Sequence, residues 1–351
     1  MIIFNVFNVT EYFPFSHRTL IRDRMLLFGF LMLLAFAVGG CRSPDSDSTD
    51  VIYSLEVGDN ADLFKISSLD ENTVRLTNSA GADVFPTWSP NKQLIAFISD
   101  QNGVDALWLM DVNGESKRQL TGPSVDVADF RWSPDSVQIA IEIVASGGRL
   151  ISIFDTETDE LSSLTAVTED ARIGDWSPDG EWVVYEAAES ADSAIRRRNP
   201  TGVDEITIAE GRGLNPRWSR NGQWIAFSRV NGDDSVDLVV LDKDGNGESV
   251  VAAGVNRNVV HDWSPDSKQI VYVIGSGSDA EIYVAGRDGK DVNQLTSNRV
   301  EDRQPRWSPD GSSILFLSDG DGTFDVYSMG KNGDQQSRLT SMSELVLGAD
   351  W

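Results

Sequence analysis

The chain has 351 residues, 40% of them apolar and 24% charged, and its formal net charge is −26, from 55 acidic and 29 basic residues. This charge repels phosphate backbones and anionic lipid headgroups, which argues against nucleic-acid binding and against electrostatic attachment to membranes. With one cysteine, Cys41, and two histidines, His17 and His261, the chain cannot form an internal disulfide or a histidine-rich metal site. The acidity either steers a basic partner or serves solubility alone.

The N-terminal segment is typical of an exported protein. Residues 26–38 are thirteen apolar residues, a length that suits a signal peptide better than a membrane span, and three arginines precede them. Val38-Gly39-Gly40-Cys41 resembles a bacterial lipobox, in which the cysteine is lipidated and becomes the mature N-terminus. We therefore predict a signal peptide over residues 1–40 and a lipid on Cys41. The alternatives are an ordinary cleaved signal peptide, or a short anchor with an inert thiol.

A polar tether is predicted to follow the lipid. Arg42–Asp50 contains no apolar residue, so residues 41–50 are expected to be disordered. Cleavage before Cys41 would remove three bases and two acids, leaving 26 bases, 53 acids and a charge of −27. The mature protein is therefore expected to be lipid-anchored to the cell envelope, on its periplasmic or extracellular face.

A tryptophan motif repeats along the rest of the chain. Trp-Ser-Pro-Asp-Gly is complete at Trp176–Gly180 and Trp307–Gly311, and variants of it recur in phase. The tryptophans are Trp88, Trp132, Trp176, Trp218, Trp263, Trp307 and Trp351, separated by 44, 44, 42, 45, 44 and 44 residues. A fixed period of this length with strand-like content indicates a β-propeller, one blade per period.

One unit illustrates the predicted blade. After Trp307, a tight turn leads into strands at Ser312–Leu317, Phe324–Met329 and Ser337–Thr340, the last ending in Leu-Thr. The other units follow this plan, although the Leu-Thr ending drifts at Ile206–Ile208 and Val250–Val251. The fourth blade is expected to be irregular, because Ala194–Arg198 places three arginines on a half-buried strand.

The two chain ends are predicted to share one blade. Val51–Ser54, Leu63–Ile66 and Arg75–Thr77 match the second to fourth strands of a unit, and Leu345–Trp351 matches the first. Six full units and this split unit predict an all-β, seven-bladed propeller over residues 51–351, closed by the C-terminal strand. Six blades are the alternative. Each tryptophan is expected to pack between neighbouring blades near the hub.

The repeats resemble those of the TolB-like propellers, a family built of Trp-Ser-Pro-Asp-Gly units. The family pattern is met closely at Pro86–Thr121 and Pro305–Thr340, and the resemblance covers residues 51–351. It implies a role in the envelope through protein contacts, although related propellers also occur as lids of serine peptidases and in polysaccharide lyases. The chain differs from TolB itself, which has six blades and an N-terminal α/β domain.

Catalytic signals are weak. The sequence has no Gly-x-Ser-x-Gly elbow, and His261, the one histidine of the mature chain, occupies a slot that holds proline in three other blades. We expect His261 to be a packing residue near the hub or a surface residue, and we expect no enzymatic activity. A propeller hydrolase or lyase is the alternative.

Calcium is the one metal that the sequence suggests. Asp242, Asp244 and Asn246 are spaced like the start of an EF-hand loop, and Asp319–Asp321 with Asp325 is a weaker case. However, Asp, Asn and Gly are common turn residues, and no glutamate follows Asp242 at the twelfth position. No cofactor is therefore expected, and a calcium-stabilised structural module is a further alternative.

Charges alternate along the residues that precede the repeat tryptophans. In ring order they are Thr87, Arg131, Asp175, Arg217, Asp262, Arg306 and Asp350. We hypothesise a belt of Arg–Asp pairs between adjacent blades beside the central channel, with a structural role favoured over ligand binding. The function predicted for the whole chain is a monomeric, non-catalytic envelope lipoprotein whose propeller binds a protein or a glycan.

Overall fold

The computed structural model describes residues 50–67, 72–188, 193–232, 235–255, 260–320, 322–340 and 344–351. They form 28 strands, β1–β28, and two short 3-10 helices at Val167–Glu169 and Gly277–Asp279. Within these ranges no helix has the length and apolarity needed to cross a membrane. The predicted signal peptide, Cys41 and residues 42–49 of the predicted tether lie outside the described residues.

The strands form seven four-stranded antiparallel sheets, which confirms the seven-bladed propeller over the six-bladed alternative. Blade 1 contains the last strand and the first three, in the order β28 (Val346–Asp350), β1 (Val51–Val57), β2 (Asn60–Ile66) and β3 (Thr73–Arg75). Ile52 pairs with Asp350 and Tyr53 with Ala349. The two ends of the chain therefore close the ring through one continuous sheet.

Blades 2 to 7 each take four consecutive strands, with the first strand innermost. Blade 2 contains β4 (Asp83–Trp88), β5 (Leu94–Ser99), β6 (Ala106–Asp111) and β7 (Arg118–Gln119). Blade 3 contains β8 (Asp126–Trp132), β9 (Gln138–Ala145), β10 (Gly148–Asp155) and β11 (Leu161–Ser163). Blade 4 contains β12 (Ala171–Trp176), β13 (Val183–Ala187), β14 (Ala194–Arg198) and β15 (Glu205–Glu210).

The remaining three blades follow the same order. Blade 5 contains β16 (Gly213–Trp218), β17 (Trp224–Val230), β18 (Val236–Asp242) and β19 (Ser249–Val255). Blade 6 contains β20 (His261–Trp263), β21 (Gln269–Ile274), β22 (Glu281–Gly286) and β23 (Asn293–Gln294). Blade 7 contains β24 (Asp302–Trp307), β25 (Ser313–Ser318), β26 (Asp325–Gly330) and β27 (Ser337–Arg338).

The turn after each repeat tryptophan is held by its serine. In blade 7, Ser308 Oγ donates to Asp310 Oδ1 at 2.6 Å and accepts the backbone N–H of Ser313 at 3.0 Å, while Asp310 Oδ1 also accepts the N–H of Ser312. The same three bonds recur in blades 2 to 6, with Asn91 or Asn221 in the aspartate position in two of them. The motif therefore encodes a turn, which explains why it indicates fold.

The threonine of the Leu-Thr ending limits the length of the outer strand. In blade 6, Thr296 Oγ1 accepts the backbone N–H of Ile282 on the third strand at 2.9 Å. The equivalent hydroxyls of Thr77, Thr121, Thr165 and Thr340 make the same bond. In these five blades a side chain takes the donor that a longer fourth strand would use, and the fourth strands contain two or three residues.

The apolar core lies between neighbouring blades. Trp176 packs with Ile151 and Ile153 of blade 3 and with Tyr185 of its own blade. Trp88, Trp218, Trp263 and Trp307 occupy the same place at four other interfaces, and Trp351 packs, partly buried, between blades 7 and 1. Packing of these side chains, and not disulfide bonding, holds neighbouring blades together.

The antiparallel strands define two faces. The Trp-Ser turns and the turns between third and fourth strands lie on one face, called the turn face here. The turns between second and third strands and the connections from blade to blade lie on the other, the crossover face.

Blade 4 accommodates its three arginines within a complete four-stranded sheet. β14 pairs with β13 along its whole length, and the irregularity is one register shift between Ile195 and Arg196 in the pairing with β15. Arg197 is buried, stacks 4.4 Å from the ring centre of Trp182 and bonds to Asp244 of blade 5 at 2.8 Å. Arg198 bonds to Glu169 and Glu205. The positive charges on this strand are therefore paired.

Candidate functional site

The residues that precede the repeat tryptophans form a ring on the innermost strands. All seven are partly buried: Thr87, Arg131, Asp175, Arg217, Asp262, Arg306 and Asp350. Each tryptophan packs between blades, and its neighbour in the strand extends to the opposite side of the sheet. This hub ring is the part of the molecule in which sequence analysis placed a charge belt.

The three aspartates of the hub ring join each blade to the next through backbone groups. Asp175 accepts the N–H of Trp218 at 3.3 Å, Asp262 that of Trp307 at 2.9 Å, and Asp350 that of Trp88 at 3.1 Å. Each carboxylate crosses one interface and satisfies a donor on the neighbouring innermost strand. The aspartates therefore stabilise the ring.

In the same three blades, the tryptophan side chain bonds to the preceding blade, whereas the aspartate bonds to the next one. The indole N–H groups of Trp176, Trp263 and Trp351 donate to the backbone carbonyls of Arg131, Arg217 and Arg306 at 3.1, 3.2 and 3.3 Å. The indole nitrogens of Trp88, Trp132, Trp218 and Trp307 are buried and have no hydrogen-bond partner within the described residues. Six interfaces thus alternate between a carboxylate bond and an indole bond. The interface between blades 2 and 3 has neither, because an odd ring cannot alternate throughout.

The hypothesis of Arg–Asp pairs between adjacent blades is not met. Within the described part of the chain, no two of the six charged ring residues approach within 4.0 Å as an ion pair. Arg131 pairs with Asp129 of its own strand, and Arg217 donates to the carbonyl of Gly174 at 3.2 Å. The reason is geometric: the backbone N–H of the next tryptophan lies closer to each carboxylate than the arginine side chain does.

The ring charges nevertheless influence one another. Burial lowers the pKa of Arg217 to about 9, and repulsion from Arg131 and Arg306 adds to this effect. Burial raises the pKa of Asp175, while Arg217 opposes that rise. With a pKa of about 9, Arg217 stays protonated at neutral pH, although the ring that holds it is partly buried.

Gly174 allows the innermost strands of blades 4 and 5 to approach closely. A Cβ at this position would lie 2.4 Å from the carbonyl oxygen of Pro216 and 2.5 Å from its ring. Other blades place proline at the equivalent position, as at Pro86 and Pro305. A larger residue at position 174 would therefore clash with Pro216, and Arg217 donates to the carbonyl of this glycine across the same close contact.

A second charged group, the crossover cluster, consists of Glu142, Arg149, Asp170, Arg172 and Glu186 at the crossover end of blades 3 and 4. Glu142 is 3% exposed; it accepts hydrogen bonds from Arg149 and, at 3.0 Å, from the backbone N–H of Ile173 in blade 4. Burial raises the pKa of Glu142, and Arg149 opposes this rise. The carboxylate therefore bridges two blades at the cost of dehydration.

Glu186 is the second buried carboxyl of the crossover cluster. It is 6% exposed, and Arg172 reaches it at 3.4 Å while also approaching Asp170 at 3.5 Å. Burial raises the pKa of Glu186 to about 7; Arg172 opposes the rise and Glu142 adds to it. A carboxyl that titrates near neutral pH can accept a proton, or can be held ionised by a cationic group that docks beside it.

Three innermost strands display an exposed or half-exposed side chain at a bulge. Phe85, Asn215 and Gln304 each stand three residues before a repeat tryptophan and have φ of 52°, 52° and 54°. The register with the second strand shifts at each of these positions. A positive φ at phenylalanine is unfavourable in conformational free energy. Bulges at such positions often redirect a side chain towards a binding surface. Phe85 is 39% exposed.

The calcium candidates are engaged in turn hydrogen bonds. Asp242 Oδ1 accepts the backbone N–H groups of Asp244 and Asn246 at 2.9 and 2.8 Å, and Asp244 bonds to Lys243 and Arg197. This is the geometry of a capped turn between β18 and β19. In the described ranges, no cluster of three or more His, Cys, Asp or Glu side chains is arranged to hold a metal ion.

The weaker calcium candidate and the histidine also have structural contacts. Asp325 bonds to Arg338 and to Thr340, and Asp319 accepts the N–H of Glu301; Asp321 lies outside the described residues. His261 is buried on β20, with Nε2 3.4 Å from the carbonyl oxygen of Ala226 in blade 5.

A cavity of about 340 Å³ lies between blades 7 and 1 on the turn face. Ser313, Ser328 and Ser337 line it together with Asp310 and Trp351. Strand register explains the space: the position of Ser313 holds Trp182 and Trp224 in blades 4 and 5, and that of Ser328 holds Leu109 and Val240 in blades 2 and 5. Ser313 and Ser328 therefore leave a volume that larger side chains fill in those blades.

Sequence analysis missed the crossover cluster. Its signal is present, because Glu142 and Glu186 each interrupt an apolar second strand ten residues after a repeat tryptophan. Blades 2, 5, 6 and 7 hold Ile98, Ser228, Val273 and Leu317 at that place. An ionisable residue in such a strand needs a buried partner, and Arg149 and Arg172 provide it from the strands paired with β9 and β13.

Comparison with known proteins agrees with the architecture. A family model described as the TolB beta propeller domain matches residues 37–214 and 201–351. TolB from Acinetobacter baumannii is similar at 18% identity and a TM-score of 0.55, over 70% of this chain and 63% of that one. Oligogalacturonate lyase from Vibrio parahaemolyticus is similar at 16% identity and a TM-score of 0.62, over 77% of this chain and 83% of that one. A prolyl endopeptidase structure is similar at 12% identity and a TM-score of 0.63, over 85% of this chain and 50% of that one. At these identities the structures show the fold alone.

Proposed function

The chain belongs to the TolB β-propeller family, and from this premise we propose that it is a non-catalytic, exported scaffold that binds a basic protein partner at its crossover face. The observation that carries the proposal is the crossover cluster, in which Glu142 and Glu186 of adjacent blades are both buried and both have raised pKa values. A cationic side chain docking there would favour the ionised carboxyls. The net charge of −26 would steer such a partner towards the protein.

The bulges on the innermost strands also favour the crossover face as the docking surface. Phe85 and Asn215 are exposed on innermost strands, and Phe85 offers an apolar ring in a strained backbone conformation. Exposed aromatic side chains are among the groups that protein-binding surfaces favour.

Site-specific crosslinking tests this proposal. A photoreactive residue in place of Asn215 is expected to give one discrete adduct in intact cells of the source organism, and the adduct should weaken as salt is raised. The control replaces Asn113, an exposed residue of the turn face. Equal adducts from Asn113, or none from Asn215, would contradict docking at the crossover face.

The proposed anchor is a lipid on Cys41. Labelling of growing cells with a palmitate analogue should mark the wild-type protein and not the Cys41→Ala variant. The lipid would hold an acidic domain at a membrane that repels it. An unlabelled wild-type protein would remove the anchor from the proposal and leave the propeller's binding role to be tested separately.

A glycan is a second candidate ligand, and the serine-lined cavity favours it. Hydroxyl groups, the Asp310 carboxylate and the Trp351 indole are groups that recognise sugars by hydrogen bonding and stacking. Ser328→Leu introduces the side chain found at this position in blade 2 and fills the cavity. The variant should lose binding to a glycan array that wild type retains; unchanged binding would exclude this site.

A further inference from the structure

The outer strands of blades 4 and 5 differ from those of the other blades. β15 has six residues and β19 has seven, whereas the other five outer strands have two or three. The rim of the propeller therefore presents long sheet edges at two adjacent blades.

One substitution per blade explains the difference. The threonine that caps the third strand elsewhere is Ala209 in blade 4 and Ala252 in blade 5, as the register of each blade shows. Alanine cannot accept the third-strand N–H, so the backbone of the fourth strand continues to pair in its place. A small bulge at Ile208 adjusts the register of β15.

Among the described strands, β15 is the unpaired edge of its sheet, and it carries an apolar and acidic surface. Glu205, Ile206, Thr207 and Glu210 are exposed, and Val203 in the preceding turn is 80% exposed. An edge strand directs alternate backbone N–H and C=O groups away from its sheet, where they can pair with another chain. Proteins usually shorten such edges, and the five threonine-capped blades of this molecule do so.

We propose that β15 accepts an extended segment of a protein partner as a fifth strand of blade 4. Backbone hydrogen bonds would supply affinity, and alternate side chains would supply specificity. The segment would alternate apolar residues, which contact Val203 and Ile206, with lysine or arginine, which face Asp204, Glu205 and Glu210. Glu205 already bonds to Arg198 and Tyr185, and its side chain remains one-third exposed.

Charge favours this occupant over a second copy of the chain. Two copies would bring together edges with the same acidic residues, on molecules that each carry a net charge of −26. A cationic strand removes that repulsion. This rim surface is distinct from the crossover cluster, so the two proposals can fail independently.

A synthetic peptide of alternating lysine and valine tests the proposal directly. Titration calorimetry should show binding to the propeller, and amide hydrogen exchange should slow along Glu205–Glu210. A peptide of the same sequence with N-methylated backbone amides keeps the charge and loses the donors. It should bind at least tenfold more weakly; equal binding would show simple charge attraction and overturn the proposal.

Two protein variants complete the test. Ala209→Thr restores the cap of the other blades, so β15 should shorten and peptide affinity should fall at least tenfold, while Ala252→Thr in blade 5 should leave affinity unchanged. Equal loss in both variants, or no slowing of exchange along β15 in wild type, would contradict the proposal. Dimerisation through β15 without peptide, seen by sedimentation, would assign the edge to a second copy and also overturn it.

Discussion

The carboxylate of Asp262 accepts the backbone N–H of Trp307 at 2.9 Å, and this bond crosses from blade 6 to blade 7. The side chain beside it, Trp263, bonds to the carbonyl of Arg217 in blade 5 at 3.2 Å. One dipeptide therefore links a blade to both of its neighbours. The Asp-Trp pairs of blades 1 and 4 do the same. These residues therefore have a structural role: they hold neighbouring blades of the ring together.

Asp262→Ala is expected to destabilise the propeller, because it leaves the N–H of Trp307 buried and unpaired. The expected loss is about 1–3 kcal/mol in the free energy of unfolding, measured by urea denaturation. Asp262→Asn retains an acceptor oxygen and should lose less. Asp288→Ala, in an exposed turn, serves as the control. If the Asp262→Ala variant and the wild-type protein unfolded at the same urea concentration, the proposed role of the carboxylate would be contradicted.

Trp263→Phe should be more destabilising than Trp218→Phe. Both changes remove similar apolar volume from a blade interface, but Trp263 also loses its hydrogen bond to Arg217, whereas the indole nitrogen of Trp218 has no partner in the described residues. The expected difference is about 1 kcal/mol in the free energy of unfolding. Equal losses, measured under identical conditions, would mean that the indole bond contributes nothing.

Glu186 should make the protein less stable as pH rises from about 5 to 7. Burial raises the pKa of this carboxyl to about 7 in the folded state, above its value in the unfolded chain. In this window the folded state therefore holds more protons than the unfolded state, and the free energy of unfolding falls with increasing pH. The stability that Glu186 contributes is fully present below its unfolded pKa and is lost as pH rises through 7.

The matched variant is Glu186→Gln, which cannot titrate. Its advantage over wild type should grow by roughly 2–3 kcal/mol between pH 5 and pH 8, since one pKa unit corresponds to about 1.4 kcal/mol. The slope that remains in the variant should reflect the other carboxyls whose pKa values are raised by burial, among them Glu142, Asp83 and Asp302. Parallel stability curves for the two proteins would show that Glu186 is ionised throughout.

Sequence reasoning predicts the ring well because its signals are local and repeated. The spacing of seven tryptophans fixes the blade number, and the headless unit at Val51 with the terminal strand before Trp351 predicts the closure seen in the Ile52–Asp350 pairing. The drift of the Leu-Thr ending near Ile208 is also visible in sequence. Its consequence, a longer β15, follows only once the hydrogen bond of the threonine hydroxyl is known.

Side-chain partners are harder to predict because they depend on reach across interfaces. The alternation of Asp175 and Arg217 places both charges at the hub, but it does not reveal that the carboxylate bonds to a backbone N–H. Glu142 and Arg149 meet through strand register, and Glu142 reaches Ile173 only through the packing of two blades. Distances of this kind come from three-dimensional structure.

Closure of the ring underlies every contact described above, and a disulfide can test it. Ser54 and Gly348 are directly paired between β1 and β28, so a cysteine at each position places two thiols on facing residues of neighbouring strands. In a Cys41→Ala background, the pair Ser54→Cys and Gly348→Cys should oxidise on refolding as completely as a control pair within blade 3, Ser152→Cys and Ser163→Cys, which face each other in register. Mass spectrometry of alkylated thiols measures both. Complete oxidation of the 54–348 pair is the predicted result; a reduced 54–348 pair beside an oxidised control would contradict the closed ring.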